Sequence, residues 1–265
     1  MKVAQLGSGT PEIAVVGGIH GDEPCGVRAI ERLLDENPTV ERPVKLVVVN
    51  EEALERQVRF VDEDLNRAFP GASDAKTHEG RLANRLVEEL ERCLSFSMHS
   101  TQSHAEPFAI VNQVTETAKE ICPQLPVQAM VETSNFAEGR LFSEIQTIEV
   151  ECGLQGSETA AQNADRLTRS FLTAVGALPG DTVGRDLPVY RLVECIHKDR
   201  ADTYEVFVEN FTEVDPGDAF AAADGQKQVA NEPFYPVLMS SNGYQDVSGY
   251  AAEKLDVLTN SGTAD

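Results

Sequence analysis

Ile13-Ala14-Val15-Val16-Gly17-Gly18-Ile19-His20-Gly21-Asp22-Glu23 is the stretch that decides how this chain is read. Its apolar run, bounded by paired glycines, reads as a buried strand. Val27, Ile30, Leu33 and Leu34 follow at helical spacing. Pro43 then opens a second apolar run, Val44 to Val49. Strand, helix and strand in that order favour a parallel α/β unit.

Sites in open α/β sheets form just beyond the carboxyl ends of the strands, where His20 and Glu23 stand. An imidazole and a carboxylate three residues apart suit zinc. H-x-x-E alone is a weak pattern, because Glu23 also suits a helix N-terminus. A catalytic zinc takes three protein ligands and leaves one position for water. His99 follows Phe96-Ser97-Met98, where a third strand, Leu94 to Met98, should finish, and it is the leading third ligand. His104, deeper in the following loop, ranks second, and His78 and His197 lack comparable placement.

The polar stretch 51–80 is long for a plain connection and carries Asp64-Leu65-Asn66-Arg67. Asn66 and Arg67 offer amide and guanidinium donors fit to hold a carboxylate. Arg59, eight residues before Arg67, adds a second cation that would select an anionic substrate. Thr147-Ile148-Glu149-Val150-Glu151-Cys152-Gly153 puts two carboxylates on one face of an apolar strand. Partial burial would raise a carboxyl towards a useful general base. Glu151, nearer the strand end, is preferred over Glu149.

Arg81 to Leu94 and Glu158 to Ala177 carry the periodicity of further helices, and Phe108 to Val111 and Ile145 to Cys152 that of strands. After Leu187-Pro188 come short β runs: Val189 to His197, Glu205 to Glu209 and Tyr235 to Met239. Asp215-Pro216-Gly217 and Asp224-Gly225 supply turns between them. The expected boundary is near residue 180. It gives a 1–180 domain that carries all the candidate residues above and a 181–265 β-rich C-terminal domain, with a polar tail after Leu258.

The 265 residues hold 22 Lys+Arg against 44 Asp+Glu, a net charge of −22. Such a surface repels polyanions and anionic lipid, so nucleic acid and membrane are not expected partners. No apolar run approaches the roughly 18–20 residues of a membrane helix, and no secretory leader is expected at Met1. With 7 Lys against 15 Arg, the carboxylate excess suits a salt-rich cytoplasm, where ions screen self-repulsion. An ordinary acidic cytosolic protein is the plainer alternative. Five scattered cysteines without a C-x-x-C pair argue against a disulfide framework or a cysteine zinc site. Gly7-Ser8-Gly9 precedes its strand and lacks a third glycine, so a dinucleotide role is poorly supported. G-x-x-x-x-G-K-[ST] and G-x-S-x-G are both absent.

Taken together, His20-Gly21-Asp22-Glu23, Asp64-Leu65-Asn66-Arg67, His99 and Glu151-Cys152-Gly153 resemble the succinylglutamate desuccinylase/aspartoacylase family, relatives of the zinc carboxypeptidases. The resemblance spans residues 13–153 and continues weakly to Tyr235-Pro236-Val237-Leu238 and Tyr244. It implies a mixed, mostly parallel central sheet flanked by helices, zinc carboxypeptidase-like, with the smaller β-rich domain behind it. It implies one Zn2+ per chain on His20, Glu23 and His99. Glu151 becomes the base that activates water, and Arg59 the group that polarises the scissile carbonyl. Asn66 and Arg67 grip the substrate carboxylate, and Tyr244 reaches the substrate from the C-terminal domain. The implied reaction removes an acyl group from a small, anionic N-acylated amino acid. Two positions depart from the family. Asp22 stands where Asn is frequent, and Ser97 where an acidic residue commonly precedes the second histidine by two. Two other readings stay open: a non-catalytic, metal-dependent carboxylate-binding module, and a carboxypeptidase acting on short peptides.

Overall fold

The computed structural model describes residues 1–136, 138–242 and 246–259. Its first half runs β1 (Lys2–Leu6), β2 (Ile13–Gly17), α1 (Cys25–Glu36), β3 (Val44–Val48), α2 (Glu51–Arg56), α3 (His78–Leu90), β4 (Leu94–Thr101), β5 (Phe108–Val111) and α4 (Glu116–Ile121). Then come β6 (Met130–Glu132), α5 (Leu141–Glu144), β7 (Thr147–Leu154) and α6 (Glu158–Ala174). The C-terminal part holds β8 (Leu187–His197), β9 (Tyr204–Val206), β10 (Ala219–Ala223), β11 (Gln226–Val229), β12 (Tyr235–Val237) and β13 (Val247–Leu258).

Ten strands form one mixed sheet in the order β1-β3-β2-β4-β7-β5-β6-β8-β13-β12. The run from β3 through β2 and β4 to β7 is parallel, as are β5 with β6 and β6 with β8. Antiparallel pairings join β1, β5, β13 and β12 to it. A separate three-stranded antiparallel sheet holds β9, β10 and β11. The expected boundary near 180 falls in the irregular link between α6 and β8. Strands on both sides of it nevertheless share the large sheet, because β8 pairs with β6.

Alternation along the strands makes the layers. Val15, Leu46, Phe96 and Ile148 face one way and pack with Ile30 and Leu33 of α1 and Leu167 and Phe171 of α6. Phe96 stacks on Phe171 at 4.6 Å between ring centroids. Ala14, Val16 and Val47 face the other way, against Leu82, Leu86 and Leu90 of α3. Each such buried leucine contributes roughly 1.5–3 kcal/mol of transfer free energy. Ser and Thr side chains cap two of the helices that frame the sheet, Thr77 for α3 and Ser157 for α6. A third cluster joins Phe108 and Ile110 to Tyr190, Phe211 and Tyr250, and so seats the C-terminal strands against the N-terminal half.

Several elements differ from expectation. The stretch 51–80 is not irregular throughout: Asn50 caps α2 by accepting from the Ala53 backbone, and α3 begins at His78. β4 runs on to Thr101, so His99 lies within the strand rather than after it. The edge strand β1 and the long β13 have weak apolar patterns. Lys2–Leu6 is mostly exposed, and the second half of β13 faces solvent. Among the described residues no helix is long and apolar enough to cross a membrane. Four of the five cysteines are buried, and all five are free thiols.

Candidate metal centre

β2 ends at Gly17, and Gly18 turns the chain with φ +72°. A side chain on Gly21 would come within 2.1 Å of the Ala53 carbonyl carbon. Only glycine lets the turn lie this close to α2. The turn delivers His20 and Glu23, 2% and 4% exposed, to the carboxyl end of β2. The parallel neighbour β4 brings His99, 3% exposed, to the same end. One ligand atom from each of the three lies within 4.8 Å of the others. His20 Nδ1 is 2.9 Å from Glu23 Oε1, and His99 Nδ1 is 3.1 Å from Glu23 Oε2. The Ser100 backbone N–H also donates to Glu23 Oε2, at 3.1 Å. Burial alone would raise the Glu23 carboxyl, but the charges and hydrogen bonds of His20 and His99 outweigh it and hold Glu23 well below the usual range. Two imidazoles and one carboxylate, all buried, are a donor set that can hold a metal ion.

Arg59 and Asp64 brace this group. Asp64 Oδ1 lies 3.0 Å from His20 Nε2, and Arg59 donates from Nε and an outer nitrogen to Asp64 Oδ2 at 3.2 and 3.1 Å. The other outer nitrogen of Arg59 donates to Glu23 Oε1 at 2.8 Å. Asp64 is thus a site residue, though its sequence signal was only that it opens the Asp64-Leu65-Asn66-Arg67 run. Burial pushes its carboxyl up, but the His20 hydrogen bond and the charges of His20, Arg59 and Arg67 carry it below the ordinary value. The loop bearing both residues is moulded on Glu79, a fully buried carboxylate. Glu79 accepts from the backbone N–H groups of Val61, Asp62 and Glu63 and from Asn50 Nδ2. Nothing in the sequence marks Glu79, because a Glu one turn into a helix is ordinary.

Glu149 and Glu151 share one face of β7 and both line the cavity over His20, Glu23 and His99. One oxygen of Glu151 is buried without a hydrogen-bond partner. Burial first, then the neighbouring Glu23 carboxylate, raises Glu151 to about 8 against the partial relief of His99. His99 rises to about 10: burial works against its charge, but Glu149, Glu23 and Glu151 surround it with negative charge.

The cavity, about 850 Å³ with its open mouth, also takes in Arg59, Asn66 and Arg140. Asn66 is buried with its side-chain oxygen unpartnered. Arg67 is exposed, donates to the Asn66 carbonyl at 2.7 Å and is not among the lining residues. Arg140, which sequence reasoning missed, enters from the start of α5, a helix too short to leave a periodic signal. Leu238, Ser240, Val247, Gly249 and Tyr250 form the wall contributed by the C-terminal part. Tyr244 lies outside the described residues. His104 stands apart from the three ligand candidates, edge-on to Phe108 and Phe211 and bonded to Gln128 at 2.7 Å. His78 pairs with Asn50 and Glu52, and His197 contacts the Asp246 carbonyl.

The model of the succinylglutamate desuccinylase/aspartoacylase catalytic domain matches residues 9–174. A probable aspartoacylase from Prochlorococcus marinus is 34% identical over 101 residues, 35% of this chain and 34% of that one. An N-acyl-aromatic-L-amino acid amidohydrolase (carboxylate-forming) from Xenopus laevis is 30% identical over 107 residues, 35% of each chain. The chain therefore spans about a third of the length of these curated relatives. The crystal structure of a succinylglutamate desuccinylase/aspartoacylase from Rhodobacter sphaeroides superposes with a TM-score of 0.77. It covers 96% of this chain and 88% of that one at 19% identity, a likeness of fold.

Proposed function

Because the chain belongs to the succinylglutamate desuccinylase/aspartoacylase family, we propose that it is a zinc-dependent hydrolase. Its reaction would remove the acyl group from a small N-acylated amino acid by hydrolysing the amide bond. The observation that carries this reading is the convergence of His20, Glu23 and His99 beneath a buried carboxylate, Glu151, with a partnerless oxygen. Those three residues would hold one zinc ion per chain, which supplies Lewis acidity and makes water a usable nucleophile near neutral pH. The same donor set supports a likeness of this centre to that of the zinc carboxypeptidases.

Each remaining role follows from what the side chains can donate or accept. Glu151 takes the proton of the attacking water and passes it to the leaving amine nitrogen. Arg59 donates to Glu23 and Asp64 at the edge of the ligand cluster and lines the same cavity, which places its positive charge where an oxyanion would develop. Asn66 fixes the substrate carboxylate through its side-chain amide. Arg67 would need a turn inward from its exposed position to join it. Arg140 adds a buried cation that favours an anionic substrate. We assign residues 1–180 as the catalytic part and 181–265 as the part that walls the mouth, with Tyr244 as a further substrate contact. That wall favours small substrates over peptides. The −22 charge supports a salt-rich cytoplasm as the working environment.

A panel of N-acetyl, N-succinyl and N-aspartyl amino acids, assayed in high salt for released primary amine, tests the reading. The expected result is release from at least one anionic member, abolished by a chelator and restored by zinc. Zinc binding without release from any member would leave a carboxylate-binding module. Release indifferent to the chelator would remove the metal from the reaction.

A further inference from the structure

β4 and β7 run side by side with Ser97 next to Glu149 and His99 next to Glu151. Strand alternation puts these four side chains on one face. His99 uses its two ring nitrogens in opposite directions. Nδ1 faces Glu23 Oε2 at 3.1 Å, the direction in which a metal would lie. Nε2 faces the other way, where Ser97 Oγ stands at 3.4 Å and Glu149 Oε2 at 3.7 Å. Glu149 is 1% exposed, and this oxygen has no hydrogen-bond partner. Its other oxygen is 3.9 Å from an outer nitrogen of Arg140. A carboxylate held this deeply, with an open acceptor aimed at the remote nitrogen of an imidazole, calls for a reason beyond packing.

We infer that Glu149 is a positioning residue for His99, which with Ser97 keeps the ring proton on Nε2 and the lone pair of Nδ1 turned towards the metal. This rests on the proposed zinc centre. A ligating histidine gives its second N–H to an acceptor that fixes tautomer and ring angle and raises ligand basicity. In this chain the carboxylate comes from the neighbouring strand, while β4 itself supplies only the Ser97 hydroxyl. The register supplies a way to move it. Position 97 lies on the same face as His99, two residues before it, and its Oγ already reaches Nε2. An aspartate there would present a carboxylate to the same nitrogen. Arg140 beside Glu149 is the competing explanation, since the carboxylate could serve only to neutralise that cation.

The test is a zinc competition titration against a chromophoric chelator, run on the full metal-stripped chain, on Glu149→Gln and on the double variant Ser97→Asp/Glu149→Gln. Glu149→Gln is expected to bind zinc about 10–100-fold more weakly, the usual cost of losing such a partner. The double variant is expected to recover most of that loss, which a merely structural role for Glu149 does not predict. Equal zinc affinity in the parent and Glu149→Gln would overturn the inference, as would a double variant no tighter than Glu149→Gln. An altered KM for an anionic substrate with unchanged zinc affinity would assign Glu149 to Arg140 instead. A parent chain that binds no zinc would bring down the metal centre and this inference together, whereas the preceding outcomes leave the metal centre standing.

Discussion

Glu151→Gln is expected to lower kcat by about 10²–10⁴-fold while zinc stays bound, the range general acid–base catalysis contributes. The substitution keeps the shape of the side chain and removes only its capacity to take a proton. The surroundings of Glu151 support the role of base proposed for it. It is 9% exposed, one oxygen has no hydrogen-bond partner, and burial together with Glu23 lifts its carboxyl to about 8 in the metal-free chain. A bound dication would pull that value down, so the acid limb of the rate profile should fall below pH 8 and vanish in the variant. Glu149→Gln, by contrast, should act through zinc affinity. A variant at 151 with near-normal turnover, or one that loses zinc, would show that the base lies elsewhere.

Zinc affinity should rise about tenfold per pH unit up to about pH 10, because a ligating imidazole must first give up its proton. His99 carries that proton in the metal-free chain, raised to about 10 against burial by Glu149, Glu23 and Glu151. The same shift fixes the sign of a stability effect. The folded value lies above the ordinary 6.5, so the contribution is fully present below 6.5 and is lost as pH climbs through about 10. Thermal unfolding in the presence of a chelator should therefore move to lower temperature over that window. Bound zinc should hold it up by mass action. Competition titrations at several pH values check the affinity. A flat dependence would mean that His99 is neutral before metal arrives, or is not a ligand.

The parallel core and the three ligand candidates were legible because their signals are local. A buried strand writes an apolar run, and His20 and Glu23 sit directly at its end. His99 needed only the next strand to be placed, although that strand proved longer than its apolar run. The bracing groups were not legible, for a common physical reason. Asp64, Glu79 and Arg140 act through partners outside their own elements, His20, Val61 to Glu63 and Glu149, and a carboxylate or guanidinium carries no periodicity to announce such pairing. The C-terminal strands were only partly legible. Half-exposed β13 has too few apolar residues to alternate cleanly, and its place in the large sheet is set by pairing with β8. Ser97 stood out in the sequence only as a departure from the acidic residue common at that place, and the register shows Glu149 next to it.

A crystal of the zinc-loaded chain, measured on either side of the zinc absorption edge, tests the metal centre most directly. One anomalous peak per chain is expected within bonding distance of His20, Glu23 and His99 and facing Glu151. A peak seated on other side chains, or none there after zinc loading, would contradict that centre.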